Sequence, residues 1–196
     1  MRRAAALLAV VVALPAAAAT PNNEYHWKTE MTIPGAPFPV TSETWIRGNR
    51  VRMVTHTPMG PSVAVVKDGT VYIHAGPVAV KGPAQTGENP NPADFAGDLS
   101  AILKGGTKLG TETVDGEACE KWHVTRTSEG KTTDLTLWVS PTLKFPRKVI
   151  VKDEEREITM HNTEIERKVA LPDKDFEPDT NVTYRDMTEA AKELER

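Results

Sequence analysis

The stretch TSETWIRGNRVRMVTH, residues 41–56, alternates polar and apolar side chains on both sides of Gly48-Asn49, and VAVVKDGTVYIH, residues 63–74, is similarly divided by Asp68-Gly69. A period of two sends successive side chains to opposite faces of a strand, and both dipeptides tolerate the positive φ angles of tight hairpin turns. Together they predict four consecutive strands in a meander. Upstream, in EYHWKTEMTI (24–33), Tyr25, Trp27, Thr29, Met31 and Ile33 alternate with Glu24, His26, Lys28 and Glu30. That gives another strand, with one buried face and one wet face.

A second series follows from residue 107: TKLGTETV, a turn at Asp115-Gly116, ACEKWHVTR, a turn near Glu129-Gly130, then TTDLTLWVS, FPRKVIVK and EITMHNTEIERKVA. Polar turns at this spacing specify antiparallel connections rather than βαβ units. Between the two series, GPVAVKGPAQTGENPNP (76–92) is rich in Pro and Gly and is expected to form no regular element. It leads into a helix, with Asn91 as N-cap, Pro92 at the first helical position, Phe95, Leu99, Ile102 and Leu103 at helical spacing, and Gly105 as the stop. A C-terminal helix is expected where Asp186 and Glu189 are spaced as a capping pair and Met187, Ala190, Ala191 and Leu194 fall on one side.

The N-terminus, MRRAAALLAVVVALPAAAA, has a basic start, an apolar run from Ala4 to Leu14, Pro15 and an Ala17-Ala18-Ala19 cleavage signature. It reads as a cleaved signal peptide over residues 1–19, followed by a single domain over 20–196. The apolar run falls short of the roughly 20 residues that span hydrocarbon, so the mature chain is expected to be soluble and not membrane-spanning. Cleavage would leave 177 of the 196 residues and lower Lys and Arg from 24 to 22 against 27 Asp and Glu, a net charge of −5. Nucleic acid is excluded as a partner, because binding a phosphate backbone requires a concentrated basic face.

The order of pieces carries a resemblance. An amphipathic strand, the ETWIRGNRVRM and VKDGTVYIH hairpins, a Pro-rich link with a helix, LGTETVDGEACEKWHV, the LWVSPTLKFPRKVIVK strand pair and a last strand leading to PDKDFEPDT together resemble the outer-membrane lipoprotein carrier (LolA-like) superfamily. The likeness spans nearly the whole mature chain. It implies a mainly β (α+β) fold: one strongly curved antiparallel sheet, a half-barrel, with a covering helix and a C-terminal helix. It also implies a periplasmic location and an apolar groove for acyl chains on the concave face. Carried onto this chain, the groove lining is Trp27, Met31, Trp45, Val51, Met53, Val63, Val65, Val71, Ile73, Leu135, Leu137 and Val149, with Phe95, Leu99 and Leu103 from the covering helix. The link AGPVAVKGPAQTGENPNP and the helix segments depart from dedicated lipoprotein carriers.

The remaining chemistry-bearing residues read plainly. Cys119, the only cysteine, is expected to be a buried packing residue, since His123 on the same strand face lies roughly 13 Å away at about 3.3 Å per residue. His26, His56, His74, His123 and His161 fall on separate strands with no pair at ligand spacing, so no metal is expected. Arg47, Arg50 and Arg52 surround one hairpin. They are either positive residues that guard against edge pairing or a contact surface for anionic head groups or an acidic partner. Trp138 is out of phase with Leu135, Leu137 and Val139 and should face the other side of its strand. Met31, Met53 and Met160 suit a cavity for varied acyl chains, and equally an ordinary core. No phosphate loop, nucleophile elbow or metalloprotease motif is present, and neither catalytic residues nor a cofactor are expected.

The expectation is therefore a monomeric, soluble, non-catalytic periplasmic carrier that holds a lipid or acylated lipoprotein in the groove. The alternative is a sensing or scaffold module of the same fold, which contacts envelope proteins through its surface.

Overall fold

The computed structural model describes residues 24–58, 60–84, 94–97, 99–128, 131–154, 156–167 and 171–194. The expected signal peptide, the Asn91-Pro92 helix start and the Glu129-Gly130 turn lie outside these residues. The chain forms β1 (Glu24–Thr32), β2 (Val40–Arg47), β3 (Arg50–Thr57), β4 (Gly60–Lys67), β5 (Thr70–Ala75) and β6 (Val78–Pro83), then the short helices α1 (Asp94–Gly97) and α2 (Leu99–Leu103). It continues with β7 (Thr107–Val114), β8 (Glu117–Ser128), β9 (Lys131–Ser140), β10 (Phe145–Lys152) and β11 (Glu157–Glu166). A 3-10 turn at Asp173–Phe176, a two-residue β12 (Arg185–Asp186) and α3 (Met187–Leu194) complete it.

All twelve strands join one open sheet in the order β12-β6-β5-β4-β3-β2-β1-β11-β10-β9-β8-β7, curved as a half-barrel. The expected hairpins form: Asp68 and Gly69 both take positive φ, at 49° and 73°, and so do Asp115 and Gly116, at 51° and 78°, as a two-residue turn matched to strand twist requires. The link did not wholly lack structure. Val78–Pro83 is β6, paired with β5 from Ala75↔Val78 to Thr70↔Pro83, its short alternation masked in the sequence by the flanking Gly-Pro pairs. One pairing is parallel, Arg185 and Asp186 of β12 beside Val80 and Lys81 of β6.

This order dictates what covers each face. β6 lies next to one edge and β7 forms the other, so the chain between them has to traverse a face, and α1 and α2 pack on the concave one, against β10 and β8. β11 ends in the middle of the sheet and β12 lies at its edge. The returning chain crosses the convex face instead, its 3-10 turn seated on β3 and β4. At the end of that return Asp186 caps α3 as its spacing predicted, its carboxylate accepting from the N–H groups of Thr188 and Glu189 at 2.8 and 3.4 Å.

Candidate functional site

The concave face is apolar from β8 to β5. Register places Tyr25, Trp27 and Met31 of β1 beside Ile46, Thr44 and Val40 of β2. It continues with Val51 and Met53 of β3, Ala64 and Val66 of β4, and Val71 and Ile73 of β5. On the other side of β1 come Met160, then Val149 and Val151, then Leu135 and Leu137, then Val124 and Trp122. Phe95, Ala96 and Ile102 of the covering helices are buried in the same cluster, while Leu99, Leu103 and Met31 are half-buried against it. Met187 of α3 reaches the far end, its sulfur 3.0 Å from where a Cβ on Gly82 would stand.

The face is closed in this state: Trp27, Val51, Leu135, Leu137 and Val149 are all 0% exposed. Buried polar atoms on it are joined in a chain. Trp27 Nε1 donates to Thr29 Oγ1 (3.0 Å), Thr29 donates to Asn162 Oδ1 (2.8 Å), and Asn162 Nδ2 donates to the Pro146 carbonyl (2.8 Å). Thr44 differs. Its hydroxyl is buried between Trp27 and Met53 in the register and has no hydrogen-bond partner among the described residues.

Twelve of the fifteen residues expected in the groove lie in this concave assembly, and three do not. Trp45 pairs with His26 and Arg52 on the convex face, its ring stacked on that of His26 at 5.0 Å, and Ile46 takes the inward place. Val63 and Val65 also point to the convex side, beside Val54 and Arg52, while Ala64 and Val66 face inward. The cause is visible in the sequence: Trp45-Ile46 and Val63 to Val66 are apolar in both phases, so alternation alone cannot choose a face. Tyr25, Ile46, Val66 and Phe145 are core members absent from the expected lining, and Met160, which suited a cavity or a core, is buried with them.

The arginine hairpin is committed internally. Arg47 and Arg50 both reach Asp173 Oδ1, at 2.8 and 3.2 Å, and both stack over Phe176, whose ring is wholly buried. Arg52 donates to the Asp175 carbonyl, and Lys67 pairs with Glu177. Hydrogen bonding from Arg47, then the charge of Arg50, holds the Asp173 carboxyl below the usual aspartate range. The segment from Asp173 to Glu177 is thus a strap bolted to the outside of the sheet.

Trp138 does face the convex side, but it is not exposed: the ammonium groups of Lys121 and Lys148 each lie 4.8 Å from its ring centre. Cys119 is fully buried, and burial first, then the Glu117 carboxylate, push its thiol up. That state suits packing and not nucleophilic attack. Among the described residues no three His, Cys, Asp or Glu side chains are grouped to hold a metal ion, and no helix is long and apolar enough to cross a membrane.

No protein-family model matches the sequence, and no curated protein does. Solved structures do match in fold. LprF from Mycobacterium bovis is 16% identical over 78% of this chain and 90% of its own, with a TM-score of 0.50. The lipoprotein LppX from Mycobacterium tuberculosis is 12% identical over 76% and 90%, at 0.52. MucB, solved elsewhere as the Pseudomonas aeruginosa MucA/MucB complex, is 17% identical over 86% of this chain and 62% of its own, at 0.55. The chain has the LolA-like fold that these structures share.

Proposed function

We propose that the protein is a periplasmic lipid-binding carrier that takes acyl chains on the concave face of its half-barrel, beneath α1 and α2, and catalyses no reaction. The observation that carries this reading is the cover. A sheet of twelve strands has its apolar face closed, among the described residues, by two helices of four and five residues and by one methionine of α3, not by a second sheet. Short covering elements are displaced more easily than a packed sheet. Gly105, with φ at 79°, and Gly106 stand directly after α2, where a hinge would have to lie.

The orphaned Thr44 hydroxyl supports the same reading, since a buried polar atom without a partner is unusual and an ester or carboxyl oxygen of a ligand would satisfy it. Each buried CH₂ contributes roughly 0.8 kcal/mol, so one acyl chain already gives reversible affinity.

The closed state itself favours a second reading: a filled module of this fold that works through its surface on another envelope protein. Native mass spectrometry of the protein purified from a bacterial periplasm, with organic extraction of anything bound, separates the two. Carriage predicts an adduct that extracts as lipid and is lost in Leu99→Asp, a half-buried position whose variant keeps its far-UV circular dichroism. It also predicts that Thr44→Val, nearly the same shape, leaves the apo protein as stable as before and weakens uptake of a fluorescent fatty acid. A clean apo mass, with no uptake of that probe, would overturn carriage and leave the module.

A further inference from the structure

A cavity of about 460 Å³ lies on the opposite, convex side, between the outer face of β3 to β5 and the chain from Lys174 to Tyr184. Its volume is in the range of about 300–1,000 Å³ usual for small-molecule sites. The floor is apolar, made by Val63 and Val65, the valines that the register turns outward. Tyr72 on β5 meets Tyr184 edge to face at 5.3 Å and 82°, forming an aromatic corner.

Groups of both signs line the cleft: Arg52 and Lys174 on one side of the balance, Asp175, Glu177 and Asp179 on the other, with His74 bonded to the Gly76 carbonyl. Parts of this set are already committed. Glu177 takes Lys67, one Arg52 nitrogen donates to the Asp175 carbonyl, and Asp179 Oδ1 accepts from the backbone and side chain of Asn181. What remains is still two-signed. A guanidinium has five N–H donors, of which the Asp175 carbonyl uses one, and a carboxylate has two oxygens. A simple anion would meet the carboxylates of Asp175 and Asp179 here, and a simple cation would meet an arginine and a lysine. Only a ligand with both charges answers both sets. Tyrosine faces add attraction for a cation and none for an anion.

We propose that this cleft binds a small zwitterion in which an ammonium and a phosphate are joined by a short linker, the chemistry of phosphocholine and phosphoethanolamine. The ammonium lies at the Tyr72–Tyr184 corner near Asp179, and the phosphate lies toward Arg52 and Lys174. Burial raises the Tyr184 phenol above its ordinary value, which keeps that hydroxyl protonated beside the ligand.

The test is calorimetry and NMR titration of the whole protein with phosphocholine, choline chloride, inorganic phosphate and dihexanoyl-phosphatidylcholine below its micellar concentration. Phosphocholine has no acyl chain, so its binding is independent of carriage on the concave face. The site predicts phosphocholine at least about tenfold tighter than choline or phosphate alone, as two favourable contacts made by one molecule require. Tyr72→Ala should weaken it about five- to tenfold, and Lys174→Ala, exposed on the strap, about threefold. Equal affinity for phosphocholine and dihexanoyl-phosphatidylcholine marks a soluble metabolite as the source. Tighter binding of the lipid, lost in Tyr72→Ala, marks a head group, and either result upholds the zwitterion site. Phosphocholine binding no tighter than phosphate, or insensitive to both variants when each keeps its circular dichroism, overturns it, as does no binding of any probe at millimolar concentration.

Discussion

The two faces of this sheet are held by different physics. On the concave face, large side chains from nine strands are buried together, and the polar atoms of Trp27, Thr29 and Asn162 are linked end to end. On the convex face, Arg47, Arg50, Arg52 and Lys67 grip a strap through Asp173, the Asp175 carbonyl and Glu177, with the single ring of Phe176 as its buried anchor. The first arrangement gains from area removed from water and hardly responds to salt. The second depends on half-exposed charges, each worth little in water but specific in geometry. The inner face therefore fixes the fold, and the outer face fixes where the C-terminal chain runs.

The largest expected effect tests whether the inner face is as full as its burial implies. Leu137→Ala should cost about 2–5 kcal/mol in urea unfolding, transfer and cavity terms together, because Leu137 is 0% exposed. A cost under about 1.5 kcal/mol would mean a hollow already lies beside it, and would sharpen the case for carriage. Asn162→Ala ranks next, at about 1–3 kcal/mol, since it leaves the Thr29 hydroxyl and the Pro146 carbonyl without their partner. Gly106→Ala should follow at about 1–3 kcal/mol from overpacking: the new Cβ would stand 2.7 Å from Val124 Cγ2 and 3.0 Å from the His123 carbonyl. If the chain after α2 must swing for lipid to enter, this variant also slows uptake of a fluorescent fatty acid. Unchanged uptake would place the opening elsewhere.

Legibility in the sequence follows the same division. Strands, turns and most of the inner face could be read because alternation is local: Trp27, Val51, Leu137 and Val149 stand where a period of two puts them. Alternation failed where both phases are apolar, so Trp45, Val63 and Val65 went to the wrong face. It also missed the six residues of β6 inside a Pro-Gly stretch. The strap was out of reach for another reason. Arg47 and Asp173 are 126 positions apart, and they meet only because β11 ends mid-sheet and the chain must return over the outside to the β6 edge. No local pattern records that crossing, so the arginine hairpin looked free for a head group when its first partner was already in the chain. The cleft under the strap was hidden with it.

The smallest effect bears most directly on the contrast. Asp173 is largely exposed, so Asp173→Asn should leave the global unfolding midpoint nearly unchanged. It should instead speed amide exchange in the strap, and 1 M salt should do the same to the wild type, since the screening length falls to about 3 Å. The pH dependence has a defined sign. Asp173 is held below its ordinary 3.8, so its contribution is full above that value and fades as pH falls through the lower folded value. Lys67 is raised above its ordinary 10.5 by Glu177, so its contribution is full below that value and fades as pH climbs through the higher folded one. Between those limits the protection of the strap amides, taken relative to the intrinsic exchange rate at each pH, should be flat, and it should fall at both extremes. If Asp173→Asn and salt change nothing while Phe176→Ala releases the strap, burial of one ring holds it, and the outer face obeys the same rule as the inner one.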